Sequence, residues 1–202
     1  MDPRPCRRLG VRKRTWHSCN PLDLHRLART WFFDARRIEL QKLAQELGVS
    51  RATVYRWAGS AEQLVGEVLA SLVTETLDRL AEQASSDGPR RMLNVLNRGM
   101  RIAHAFSPLR KFMEKDPQLA LRVVASCEGP VQARTIEKIT ELLTEDIEAG
   151  RITLPVEPAV MAYALTRMVE SFLYADLITG APADLEQASA ILELMLRPPV
   201  AA

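Results

Sequence analysis

Through almost the whole 202-residue chain, apolar side chains recur at i, i+3, i+4 and i+7, and the sustained alternation of a strand is absent. That period predicts an all-α fold, punctuated by Pro and Gly. Asn20-Pro21 reads as a helix start, with Leu24, Leu27, Ala28 and Trp31 as the inner stripe. A second helix is expected over 39–47, stopped by Gly48, and a third, capped by Ser50, over 51–57. Ser60-Ala61-Glu62-Gln63 has the form of a capping box before a run to about residue 84, a helix about 36 Å long. The stretch Ser85-Ser86-Asp87-Gly88-Pro89 is the clearest break. Beyond it the pattern predicts helices near 90–106, 108–115, 117–126, 130–149, 157–179 and 184–196. The domain reading is a disordered basic arm over 1–19, a head over 20–60, a connecting helix over 61–84 and a larger body over 85–202.

The formal net charge of +2 hides an asymmetry. Residues 1–60 hold thirteen Lys/Arg against five Asp/Glu, a net +8, whereas residues 61–202 hold fourteen against twenty, a net −6. A basic head on an acidic body implies that only the head meets a polyanion. Six of the thirteen basic residues, Arg12, Lys13 and Arg14 among them, lie in the first fourteen positions, so part of this charge is a tail. With only three cysteines the chain has no disulfide framework and suits a reducing, cytoplasmic setting. No uncharged apolar run reaches membrane-spanning length, and no apolar segment follows the first arginines as a secretory signal requires.

The segment from Leu40 to Trp57 is more specific than its period. Two helices crossing closely need a small residue at the crossing, which Ala44 supplies, and Gly48 tolerates the positive φ of a tight turn. Val49 and Val54 hold the second helix on the first. The turn then launches a short helix carrying Arg51, Ala52, Thr53, Tyr55 and Arg56, the layout of a helix-turn-helix whose second helix enters a major groove. Arg51 and Arg56 offer bidentate forks for guanine or phosphate, Ala52 or the Thr53 methyl suits a thymine methyl, and the Tyr55 hydroxyl suits a phosphate. Arg12, Lys13 and Arg14 of the arm suit phosphates or a minor groove. Trp57 reads as core.

These residues, from Leu43-Ala44-Gln45-Glu46-Leu47-Gly48-Val49-Ser50 through Thr53-Val54-Tyr55 to Gly59-Ser60-Ala61-Glu62-Gln63-Leu64, resemble the tetracycline-repressor (TetR) family. The close match covers residues 20–70; beyond them the likeness lies in length and helicity. The resemblance implies a homodimeric regulator with an N-terminal DNA-binding domain and a C-terminal domain for ligand binding and dimerisation. It also implies contact of Arg51, Ala52, Thr53, Tyr55 and Arg56 with a palindromic double-stranded operator. Three positions depart from the family pattern. Trp57-Ala58 stands where an aromatic pair is usual, Ala61 where a phosphate-binding lysine is usual, and Glu39 where a hydroxyl residue is common.

In the body, residues 158–178 are apolar nearly all round, which demands burial on all faces. One side is expected against the protein's own core and the other against a second copy, with the last helix completing a four-helix bundle across a two-fold axis. Met161, Leu165, Val169, Leu192 and Met195 are the expected dimer contacts. Flexible and large apolar residues with polar neighbours suggest an effector pocket, the candidates being Met100, His104, Phe112, Met113, Tyr163, Arg167, Glu170, Phe172 and Tyr174. Such a pocket suits a small, mostly apolar effector of lactone or acyl type, with release from DNA as its consequence.

Two other functions compete with this one. An enzyme needs a nucleophile with its base, or metal ligands. Neither a phosphate loop nor a nucleophile elbow occurs, and Cys6, His17, Cys19 and His25 have no usual zinc spacing. No catalytic residue, cofactor or metal is expected. The alternative is a protein–protein adaptor that kept the fold and lost specific DNA binding, which Ala61 and Glu39 favour and Arg51 and Arg56 oppose.

Overall fold

The computed structural model describes residues 19–126 and 129–197; the basic arm with Arg12, Lys13 and Arg14, and also Cys127, lie outside the described residues. Among them the chain is helical, with no strand. Helices α1 (Pro21–Phe33), α2 (Leu40–Leu47) and α3 (Arg51–Ala58) form the head, and α4 (Ala61–Gln83) leads out of it. After a 3₁₀ turn over Gly88–Arg90 come α5 (Arg91–Ala105), α6 (Ser107–Lys115), α7 (Pro117–Ala125), α8 (Pro130–Glu148), α9 (Pro158–Leu173), α10 (Ala175–Thr179) and α11 (Leu185–Met195). None is long and apolar enough to cross a membrane.

The starts are set by local chemistry. Asn20 caps α1 in a reciprocal box: its side chain accepts from Leu22 and Asp23, while the Asp23 carboxylate accepts from the Asn20 N–H at 3.0 Å. Ser50 accepts from the Thr53 N–H, and Ser60 from the Gln63 N–H. Pro21, Pro108, Pro117, Pro130 and Pro158 each stand in a helix's first two positions, where a missing N–H costs nothing.

The sequence pattern predicts one helix over 157–179, but the chain breaks at Tyr174 into α9 and α10. No Pro or Gly stands there. Tyr174 leaves helical geometry (φ −108°, ψ 17°) with its ring buried in the core that the head shares.

Two apolar cores are stacked along α4. The first joins Leu24, Ala28, Trp31 and Phe32 of α1, Leu43 and Ala44 of α2, Val54 of α3 and the first half of α4 to Leu109, Met113, Ala120, Val123 and Val124 of α6 and α7. The second joins Leu77, Leu80 and Ala81 of α4 to Met92, Val95 and Leu96 of α5, Ile139 and Leu143 of α8, Leu165 of α9 and Leu192 of α11. The head is thus continuous with α6 and α7. Beside the second core the fully enclosed Asp146 accepts from Arg91 Nη1 at 2.5 Å and from Arg151 Nε at 2.7 Å. This triad ties the start of α5 to the end of α8.

Candidate nucleic-acid interface and effector cavity

In the head, Gly48 takes the left-handed conformation (φ 69°) between α2 and α3. Ala44 and Val54 are buried, and Val49 packs against them from the rim. Helix α3 is held by its apolar side, so Arg51, Ala52, Tyr55 and Arg56 project into solvent, Tyr55 with 54% of its surface exposed. Thr53 is half-buried, its hydroxyl 2.9 Å from Ser50 Oγ, which leaves its methyl as the outward chemistry. Among the described residues neither Arg51 nor Arg56 has an ion-pair partner, which leaves both guanidinium groups available to an anion.

The three departures acquire a physical setting. Lys42 Nζ lies 2.8 Å from the Glu39 carboxylate and neutralises the charge that would repel a phosphate. Trp57 and Ala58 pack partly buried against the first core, as does Ala61. Arg37, which the motif did not mark, is exposed in the loop before α2, where Arg36 stacks 3.7 Å over the Trp31 ring. Cys19 faces the Leu47 carbonyl and His25 faces Ser71, so these two members of the imagined zinc set look toward different helices; Cys6 and His17 lie outside the described residues.

The body holds a cavity of about 370 Å³, at the seam between the two cores. Its wall is mainly Leu69, Leu72, Val73 and Leu77 of α4, Leu96, Met100, Ala103 and Phe106 of the α5 region, and Val124, Val131, Ile139 and Val169. Arg29 and Phe33 of α1 complete it, so the head contributes directly. At that rim Arg29 clasps Glu75 of α4 through both guanidinium nitrogens, Nη2 to Oε2 at 2.6 Å. Deeper in, Glu170 accepts from Gln132 Nε2 at 3.1 Å and from Arg167 Nη1 at 2.8 Å. Burial raises the Glu170 pKa above the usual carboxylate range, and the bonds from Gln132 and Arg167 offset this only in part. Burial, with the nearby Glu170 charge, pushes the Tyr174 phenol well above its ordinary value and keeps it protonated.

Of the nine expected effector residues, Met100, Glu170 and Tyr174 line this cavity. His104 and Met113 line a small neighbouring recess of about 60 Å³. The other four lie elsewhere. Phe112 is spent on an edge contact with Phe32, at 5.9 Å between centroids, Tyr163 is exposed, Arg167 reaches the cavity only through Glu170, and Phe172 is outside the lining. Leu72, Val73, Thr76 and the α1 residues escaped the sequence reading. Their helix positions carried no mark distinguishing cavity from core.

The expected dimer contacts need correction. Met161, Leu165 and Leu192 are buried within the protomer's own second core, Met195 packs against it, and Val169 lines the cavity. In helices apolar on every side, periodicity does not say which face turns inward. On α9, α10 and α11 the large apolar side chains left exposed are Val160, Tyr163, Ile178 and Leu194.

A helix-turn-helix head, a long fourth helix and a cavity-bearing helical body are the architecture of a transcriptional regulator. Residues 87–197, more than half of the chain, match the family model for the tetracycline repressor-like C-terminal domain. The chain belongs to the TetR family of transcriptional regulators, which are transcription factors, not enzymes. The TetR-family transcriptional repressor QsdR of R. erythropolis is 28% identical and superposes with a TM-score of 0.82, over 90% of this chain and 96% of that one. The TetR-family repressor AlkX of Dietzia sp. strain DQ12-45-1b, implicated in biodegradation of n-alkanes, shares the fold at 20% identity and a TM-score of 0.57, over 83% and 92% of the two chains. No curated protein matches the sequence significantly.

Proposed function

We propose that this regulator is a homodimeric repressor that binds a palindromic operator through α3 and is released by a small, mostly apolar effector of lactone or acyl type. In this reading residues 20–60 are the DNA-binding domain, 61–84 the connecting helix and 85–202 the effector and dimerisation domain. Arg51, Arg56 and Tyr55 take phosphates and base edges, Ala52 and the Thr53 methyl take thymine methyls, and Arg37 adds a phosphate contact. The basic arm, with Arg12, Lys13 and Arg14, adds salt-sensitive affinity. Dimerisation uses the exposed faces of α9 and α11, with Tyr163 and Leu194 at its centre.

One observation carries the proposal: the cavity is walled both by α4 and by Arg29 and Phe33 of α1. An occupant therefore touches the DNA-binding head as well as the helix that leads out of it. Phe33 meets Phe106 at 5.5 Å, Phe32 meets Phe112, and Lys115 Nζ holds the Ala35 carbonyl at 2.9 Å. Filling the cavity displaces Phe106 and the Arg29–Glu75 clasp, which tilts α1 and α4 together. Two recognition helices set for half-sites about 34–36 Å apart tolerate little tilt.

The test is selection of binding sites from a random DNA pool, followed by anisotropy titration across a salt series. An enriched palindrome bound with Kd near ~10⁻⁸ M or tighter, with a steep salt slope, is expected. Failure to enrich any sequence would overturn the operator reading and put the adaptor in its place.

A further inference from the structure

We infer that the cavity selects a neutral amphiphile with an amide head, in preference to a carboxylate or a simple ester, through Tyr174 and Glu170. The inference rests on the effector-cavity reading above and, within its lactone or acyl type, selects an acyl amide over a lactone.

Tyr174 has 6% of its surface exposed and lines the cavity, yet among the described residues its hydroxyl has no hydrogen-bond partner. Its hydroxyl therefore stands in a mainly apolar wall as a donor with no acceptor from the protein, and an occupant's carbonyl takes up that bond. Glu170 stands one helical turn earlier, and the Tyr174 N–H still bonds to the Glu170 carbonyl at 3.0 Å, so both side chains leave the same turn. Gln132 and Arg167 both converge on Glu170 Oε2, whereas Oε1 takes only the longer 3.3 Å bond from Gln132. Oε1 is thus an acceptor with room for one more donor. Thr135 and Thr166, also in the wall, spend their hydroxyls on backbone carbonyls of their own helices.

Among the described residues the polar lining therefore presents free donors, the hydroxyls of Tyr174 and Thr76, and one available acceptor, Glu170 Oε1. An amide answers both, its carbonyl accepting from Tyr174 and its N–H donating to Glu170. An ester or lactone carbonyl accepts from Tyr174 but offers Glu170 nothing. A carboxylate meets the Glu170 charge without a donor of its own. The cations of the wall do not rescue it, because Arg29 is spent on Glu75 and Arg79 lies exposed at the rim. The remaining wall is apolar and the volume lies within the range of ligand pockets, about 300–1,000 Å³, so an alkyl chain completes the occupant.

The experiment is displacement of the neutral dye N-phenyl-1-naphthylamine from the full-length protein at pH 7.5 by decanamide, methyl decanoate and decanoate. Ala103→Trp, which fills the cavity, checks where the dye sits. Decanamide is expected to displace the dye at a concentration about tenfold or more below that of decanoate and of the ester. Tyr174→Phe is expected to raise the decanamide concentration needed, and Glu170→Gln to narrow the gap between amide and carboxylate. Decanoate or the ester competing as well as decanamide, or both variants discriminating like the wild type, would overturn the amide assignment and leave the cavity reading intact. Dye that does not bind, or binds equally to Ala103→Trp, would overturn both.

Discussion

Asp146 has no exposed surface and sits between two arginines, one of them, Arg91, itself buried. Its second carboxylate oxygen has no partner, so the site depends wholly on the two guanidinium bonds. Removing one member of a buried pair strands the other charge. Asp146→Ala is expected to lower stability by about 3–5 kcal/mol, read by urea denaturation, and a loss below 1 kcal/mol would show that Arg91 finds water instead. Glu170 works in the opposite sense. Its pKa lies above the ordinary value of 4.5, so in that window the folded chain holds more protons than the unfolded one and stability falls as pH rises. Around it stand Gln132 of α8, Arg167 of α9 and Tyr174. Glu170→Gln is expected to raise the melting temperature at pH 7, with the gain shrinking toward pH 4; a gain constant over that range would contradict the burial argument. Neither residue was legible as special. Asp146 is one of three acids in the run Thr144-Glu145-Asp146-Ile147-Glu148, and only the approach of α5 to α8 makes it a buried counter-ion.

At the scale of elements, the helix-turn-helix was readable because its determinants are local. Ser50 caps α3 within three residues, and Gly48 meets the demand of its own backbone angle. Nothing lies within 4 Å of a Cβ built at Gly48, so its need for glycine is conformational alone. Gly48→Ala is expected to cost about 1–2 kcal/mol, seen as a lower melting temperature. A second glycine acts through space. A Cβ at Gly66 of α4 would lie 2.9 Å from Pro130 Cγ, and the proline ring at the head of α8 is not a flexible end. Gly66→Val therefore prises α8 from α4, at a cost of about 1–3 kcal/mol; equal melting temperatures for variant and wild type would show that the helices slide apart freely. The break at Tyr174 had no local signal, since neither Pro nor Gly stands within residues 169–179 and the reason to turn is a core assembled from distant segments.

For the whole molecule, the exposed apolar residues of α9 and α11 and the recognition face of α3 serve one design only if two copies pair. Tyr163→Glu combined with Leu194→Glu is expected to give a monomer by light scattering and to weaken operator binding by about 10²-fold or more, the avidity of two linked half-site contacts. A dimer that survives both changes would move the interface to another face. Deleting residues 2–14 removes six Lys/Arg and is expected to flatten the dependence of log K on log salt; an unchanged slope would show that the arm touches no phosphate.

The sequence by itself determined the helical class, most of the helix starts, the helix-turn-helix and the charge division between head and body. Each depends on residues within a turn or two of one another, or on composition. Which side of each apolar helix turns inward, where the two cores fail to meet, and which acids are buried were decided only by tertiary packing. A side chain's role there depends on what arrives opposite it. Met161 and Tyr163 are two residues apart on one helix, and the first is core while the second faces solvent because α8 and α11 cover only one of those directions.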